Sequence, residues 1–130
     1  MKQYKMIVGF LVACSLVLFS GCYKNSSIVS ETGDEITREV SFSNDIIPIM
    51  NNSCSVSSCH TSGGKTPDLS ESNAYRSLIN GEYINVSDPL TSQLYLWMTG
   101  KKGTPMPVSG INKDYNALVV AWIKQGALNN

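Results

Sequence analysis

Two cysteines and the chain's single histidine lie within seven consecutive residues, at Cys54, Cys59 and His60. Four residues separate the two thiols, and the imidazole directly follows the second one. Such a segment can be closed by a disulfide, can bind a metal ion, or can be joined covalently to another group, and each of these constrains the backbone around it. The redox compartment of the chain therefore decides between these interpretations.

The N-terminus indicates export. A basic start is followed by a mostly apolar run over residues 6–19, which is shorter than the roughly 20 residues that cross a membrane and is typical of a signal peptide. Ser20 and Gly21 then precede Cys22 in a pattern that resembles a bacterial lipobox. We therefore predict a signal peptide over residues 1–21 and a lipid on Cys22, with an ordinary secretory signal as the alternative.

Export leaves two cysteines to be explained. Cys14 departs with the signal peptide and Cys22 is taken by lipid, so Cys54 and Cys59 remain in an oxidising compartment. Removing Lys2 and Lys5 also leaves 10 − 2 = 8 basic residues against 10 acidic ones. This slightly negative balance gives no general field for holding nucleic acid, so we expect no nucleic-acid partner.

The remaining chain divides into a polar segment and one small domain. Residues 22–40 are polar and without periodicity, which predicts a lipidated flexible tether, although packing as an N-terminal arm is the alternative. Residues 41–130 form the predicted domain, whose apolar spacing indicates an all-α fold. Ser43 or Asn44 is expected to cap its first helix. The predicted helices lie at about 44–52, 72–79, 88–99 and 113–125.

The arrangement of Cys54, Cys59 and His60 is the one that a covalent c-type haem needs. Two thiols on a short segment add to the two vinyl groups of the haem, and the next residue places its imidazole under the iron. The usual spacing between the cysteines is two residues, whereas here it is four. A disulfide between Cys54 and Cys59 is the main alternative, and zinc is a poorer one because a fourth ligand is missing.

Met106 is the candidate for the second axial ligand of such an iron. Pro105 and Pro107 flank it and stiffen the loop that presents its sulfur. Met98 is the competitor, but its helical spacing with apolar neighbours predicts a packing role.

Taken together, these features resemble class I monohaem cytochrome c domains, particularly those in bacterial envelope lipoproteins. The resemblance covers about two thirds of the chain, and its closing helix is especially similar. It rests on the apolar residues 46–50, on Cys59 and His60, on Pro89 and residues 92–95, on Met106 and Pro107, and on residues 121–127.

The resemblance implies a small cytochrome c-like bundle of about four helices around one haem. Cys54 and Cys59 would attach that haem, and His60 and Met106 would be its axial ligands. The implied role is electron transfer rather than enzyme catalysis, at a positive potential, with redox proteins of the cell envelope as partners. The implied location is the periplasm-facing cell envelope, lipid-anchored, with the outer membrane favoured over the inner.

The same resemblance gives finer expectations that a structure can test. Nδ1 of His60 should reach a backbone carbonyl in the 64–69 loop. Lys101 and Lys102 could steer an acidic partner, or could form a solvated turn. The helix crossing is expected to use Ile47, Met50, Leu118 and Trp122, and the haem cleft Tyr75, Leu78, Leu94 and Trp97.

Two other functions stay open at this point. One is a disulfide-closed envelope lipoprotein that acts as a binding module without haem. The other is a haem sensor or peroxidase-like domain with an open iron position, which a Met106 ligand would disfavour. Absorption separates them, because carbon monoxide would bind the reduced protein only where the iron is open.

Overall fold

The computed structural model describes residues 31–130. The predicted signal peptide (residues 1–21), the predicted lipid site Cys22 and the first part of the predicted tether lie outside the described residues. Within the described range the chain is helical and contains no β-strand, in agreement with the predicted all-α class. No helix in this range is both long enough and apolar enough to cross a membrane.

The first helix, α1, covers residues 42–54 and ends at the first mature cysteine of the site. Its three consecutive parts are a π-helix at Phe42–Ile46, an α-helix at Ile47–Ile49 and a second π-helix at Met50–Cys54. The N-cap is Ser41, whose hydroxyl accepts the backbone N–H of Asn44 at 3.2 Å. The predicted caps, Ser43 and Asn44, were therefore wrong, because the helix starts two residues earlier than its apolar pattern suggests.

Pro48 lies in the interior of α1, although the sequence places it near the helix start. A proline nitrogen carries no hydrogen and cannot complete the usual four-residue bond. The helix is wound more widely on both sides of it. The N–H of Ile47 reaches the carbonyl of Phe42, and the N–H of Ser55 reaches the carbonyl of Met50 at 2.7 Å, each five residues earlier.

The middle of the chain holds two short helices and one 3₁₀ turn. Helix α2 covers Ala74–Asn80, the 3₁₀ turn covers Pro89–Thr91, and helix α3 covers Gln93–Met98. The single third helix predicted at about 88–99 is therefore divided at Ser92, which has an extended ψ of 132°. The hydroxyl of Ser92 accepts a hydrogen bond from the backbone N–H of Asn85, in the preceding loop, at 2.9 Å.

The closing helix, α4, covers Lys113–Lys124, close to its predicted range. The side chain of Asn112 caps it by accepting the N–H groups of Asp114 and Tyr115, both at 3.1 Å. Gly126 follows with a φ of 101°, a left-handed conformation that favours glycine after a helix.

One apolar core joins α1, α2, α3 and α4. Phe42 lies at its centre, with its ring 5.1 Å from that of Trp122 and 5.2 Å from that of Tyr75. Ile47, Met50 and Trp122 are buried in this core and Leu118 packs against it, as expected for the helix crossing. The core continues to Cys54, so the site segment begins on the packed interior.

Residues 31–40 pack as an arm against the helices, whereas the sequence places them in the flexible tether. Val40 is buried, and its N–H donates to the side chain of Gln125 on the turn after α4 at 2.8 Å. Gly33 donates its N–H to the carbonyl of Lys113 at 2.8 Å. The folded unit therefore extends to residue 31, ten residues before the predicted domain boundary at 41.

Substitution of Ile46 by alanine should destabilise the protein strongly. Ile46 is fully buried in α1, and removal of three carbons from a packed core typically costs about 2–5 kcal/mol. Ile79 in α2 is 39% exposed, so Ile79→Ala is the matched control, with an expected loss of under about 1 kcal/mol. Urea unfolding measures both, and equal losses would contradict the described core.

Candidate functional site

Cys54 and Cys59 are both free thiols that lie near each other at the end of α1. Cys54 is buried at 8% exposure and Cys59 is half-buried. Burial, and to a smaller extent charge repulsion from the neighbouring Cys59, together raise the pKa of Cys54 to about 11. The pair therefore presents one sulfur inside the core and the other towards its edge.

The four residues between the cysteines form a turn that projects from the segment. Ser58 takes a positive φ of 65°, and the N–H of Cys59 donates to the carbonyl of Val56 at 2.9 Å. The N–H of His60 then donates to the carbonyl of Cys54 at 3.0 Å. In a helix this bond would join residues four apart. Here it joins residues six apart. The turn therefore accommodates four residues between the cysteines instead of the usual two.

His60 is held in one orientation by the loop that follows it. Its Nδ1 lies 2.9 Å from the carbonyl oxygen of Pro67 and 3.2 Å from that of Lys65. A carbonyl only accepts, so Nδ1 carries a proton, and in the neutral imidazole Nε2 then keeps a free lone pair. The expected contact with a carbonyl of the 64–69 loop is confirmed, and it leaves Nε2 as the nitrogen that can bind a metal.

The loop after His60 is fixed by Asp68, a residue that the sequence analysis did not single out. Its carboxylate accepts hydrogen bonds from the hydroxyls of Ser70 (2.6 Å) and Ser62 (2.9 Å) and from the side-chain amide of Asn73 (2.9 Å). These bonds, that from the Ser70 hydroxyl foremost, hold the pKa of Asp68 below its usual value. The aspartate two residues before Ser70 is a local turn signal that could have revealed it.

Backbone bonds tie this loop to the core beside the site. The N–H of Leu69 donates to the carbonyl of His60 at 2.8 Å, and the Leu69 side chain is buried. The N–H of Lys65 donates to the carbonyl of Cys59 at 2.8 Å. The loop therefore returns twice to the segment that carries the thiols and the imidazole.

Met106 lies in the loop that follows α3. It is half-buried, and its N–H donates to the carbonyl of Trp97 at 2.9 Å. Gly103 lies over the Trp97 ring with a φ of 144°, so the loop follows the indole closely. Within residues 31–130 Met106 makes no hydrogen bond to the segment 54–60. Met98, its competitor, is buried in the core as its spacing predicts.

Three of the four residues expected to line a cleft contact the core that contains Cys54. Leu78 and Leu94 are buried in this core, and Tyr75 packs against it on Phe42. The hydroxyl of Tyr75 donates to the carbonyl of Ala127 at 3.1 Å, so Tyr75 also contributes to the helix crossing. Trp97 is half-buried beside the loop of Met106.

The two lysines beside Met106 already have partners in the folded chain. Lys101 forms an ion pair with Glu31 at 2.9 Å and lies over the ring of Tyr95. Lys102 donates to the side chain of Gln93. The charge of Lys101 is compensated by Glu31, which weakens its expected role in steering an acidic partner.

No group of three or more Cys, His, Asp or Glu side chains gathers around a metal position in the part of the chain that the structure describes. A haem iron does not need such a group, because the porphyrin supplies four nitrogen ligands and the protein only the axial ones. Comparisons with protein-family models, with curated proteins and with solved structures give no match for this chain.

Replacing Asp68 by asparagine should lower the urea midpoint near neutral pH. The lowered pKa means that the carboxylate stabilises the fold above its unfolded pKa of about 4 and loses this effect as pH falls through the folded value. The difference from the unsubstituted protein should therefore shrink as the pH falls below about 4. Asp34→Asn, at an exposed position on the arm, is the control. A difference that stays constant with pH would contradict the role of Asp68.

Proposed function

We propose that this chain is an electron carrier, not an enzyme, that holds one covalent c-type haem. The observation that carries the proposal is the geometry of segment 54–60, in which two free thiols and an oriented imidazole are gathered by the bond from the His60 N–H to the Cys54 carbonyl. A disulfide-closed module would use the thiols, but it would not explain why His60 is held in one orientation.

The residues present fit this group in number and in chemistry. Cys54 and Cys59 would supply the two thiols for thioether bonds, and His60 would supply Nε2 as an iron ligand. The stiff loop between Pro105 and Pro107 offers Met106 as the second ligand. When bound, the haem supplies a reversible one-electron couple.

The protein's own contribution is to orient these groups and to limit the access of water. The carbonyl of Pro67 fixes the imidazole proton on Nδ1, which leaves Nε2 as the ligand atom. Leu69, Leu78 and Leu94 share the core with Cys54, so the buried thiol faces an apolar interior. An apolar surrounding of this kind favours the less charged, reduced state of a redox centre.

The finer architecture that we propose is a cytochrome c-like bundle around this haem. The order of elements supports it: α1, the thiol–imidazole segment, α2 and α3, the Met106 loop, and α4 as the closing helix. The packing of Phe42 at the start of α1 against Trp122 in α4 supplies the expected crossing of the first and last helices.

We further propose that a lipid on Cys22 holds this carrier in the cell envelope, facing the periplasm, with the outer membrane favoured. Its partners would be other redox proteins of the envelope. Support comes from the signal-like residues 1–21 and the small residues before Cys22.

Haem staining after denaturing electrophoresis tests the proposed cofactor. In a host that has cytochrome c maturation machinery, the unsubstituted protein should stain. The double variant Cys54→Ala and Cys59→Ala should not stain, because no thiol remains for attachment. Cys14→Ala is the matched control and should keep the stain, since Cys14 lies in the predicted signal peptide. An unstained matured protein would favour the disulfide-closed module and would refute the carrier.

Replacing Cys22 by serine should abolish labelling of the protein by a radioactive fatty acid supplied to the cells. Without a thiol at position 22 no lipid can be attached. Electrophoresis followed by detection of the label measures this. Labelling of the Cys22→Ser variant equal to that of the unsubstituted protein would contradict the lipid anchor.

A further inference from the structure

The N-terminal arm, residues 31–40, reaches the end of α3, where the loop of Met106 begins. The carboxylate of Glu31 lies 2.9 Å from Nζ of Lys101, and the hydroxyl of Thr32 is hydrogen-bonded to that of Tyr95 at 2.8 Å. Lys101 also lies 5.4 Å from the centre of the Tyr95 ring. Glu31 and Thr32, which are adjacent on the arm, therefore bind Lys101 just after α3 and Tyr95 within α3.

Tyr95 precedes Trp97 in the sequence and Lys101 follows it, and the carbonyl of Trp97 holds the backbone of Met106. The carbonyl of Trp97 accepts the N–H of Met106 at 2.9 Å, and the carbonyl of Leu96 accepts the N–H of Lys101 at 2.9 Å. Neighbouring carbonyls of α3 thus hold both ends of the turn between Lys101 and Met106. A contact that fixes Lys101 against Tyr95 also fixes this turn.

The arm is itself held to the body of the protein at this end. The side-chain amide of Asn116, a fully buried residue of α4, donates to the carbonyl of Glu31. Tyr95 is 1% exposed, so its hydroxyl meets Thr32 at the rim of the core. The hydrogen bond that the ammonium of Lys101 donates to the carboxylate of Glu31 also raises the pKa of Lys101.

We propose that Glu31 and Thr32 are positioning residues for Met106, which clamp the base of its loop and so favour the sulfur as a ligand over external ligands. This inference rests on the proposed function, because Met106 has a ligand role only in a haem protein. It assigns to the arm, expected to be a tether, a part in setting the coordination of the iron.

The test uses the haem-loaded, full-length protein in its oxidised form. Two readouts are followed: the charge-transfer absorption that methionine ligation gives to ferric haem, and the affinity for added imidazole, which competes with Met106. Glu31→Gln, Thr32→Val and their combination are compared with the unsubstituted protein, and Met106→Ala gives the response of a site without the sulfur.

Arg38→Gln is the matched control. Arg38 lies on the same arm and forms an ion pair with Asp45 at 2.7 Å, but that pair lies at the start of α1. The control therefore loses an arm contact of the same kind without touching the base of the Met106 loop. A general loosening of the arm would change both variants alike.

The clamp predicts that Glu31→Gln raises the imidazole affinity by about two- to fivefold, the range expected for one partly exposed ion pair. The combined variant should raise it further and weaken the charge-transfer band, whereas Arg38→Gln should match the unsubstituted protein. Reversing the pair with Glu31→Lys and Lys101→Glu should restore the original affinity.

Equal imidazole affinities in the Glu31→Gln and Arg38→Gln variants would overturn the clamp while leaving the covalent haem intact. Failure of the reversed pair to restore affinity would overturn it as well. An unsubstituted protein that stains for haem but has no methionine charge-transfer band would also refute it, without affecting the proposed carrier. A protein without haem would refute both proposals.

Discussion

The hydrogen bond from the His60 N–H to the Cys54 carbonyl is the contact on which the rest of this site depends. It joins the end of α1 to the start of the next loop at 3.0 Å and thereby brings the backbone of His60 back to that of Cys54. The four residues between the cysteines make a turn, in which Ser58 takes a positive φ. This turn accommodates the unusual spacing between the two cysteines.

The second level of organisation is the loop that holds the imidazole. Asp68 accepts hydrogen bonds from three side chains around it, and Leu69 anchors the loop in the core. The carbonyl of Pro67 is in this way presented to Nδ1 of His60. Because the carbonyl of Pro67 fixes the proton on Nδ1, Nε2 is the one defined ligand atom of His60.

Local pattern predicted some parts of the molecule well. The apolar spacing predicted the range of α4 almost to the residue, since this signal acts within a few positions. The contact of His60 with the following loop was also predicted, because the loop directly follows the imidazole in the sequence. The packing role of Met98 was correctly predicted from its helical spacing.

Other parts depend on contacts that leave no local pattern. The arm looks like a tether because its residues are polar, yet Glu31 binds Lys101 and Thr32 binds Tyr95, more than sixty positions later. The division of the third helix depends on Ser92, whose hydroxyl bonds to Asn85 in a loop. Polar bonds of this kind form only after folding, so apolar spacing along the chain does not reveal them.

Attachment of a haem to Cys54 and Cys59 would change the mass of one peptide, and this mass is the most direct test of the proposed cofactor. Tryptic cleavage after Arg38 and Lys65 releases residues 39–65, which contain both thiols and His60. From protein matured in a competent host, this peptide should carry the added mass of one haem. A peptide that is two hydrogens lighter than the free dithiol, as a disulfide requires, would contradict the account.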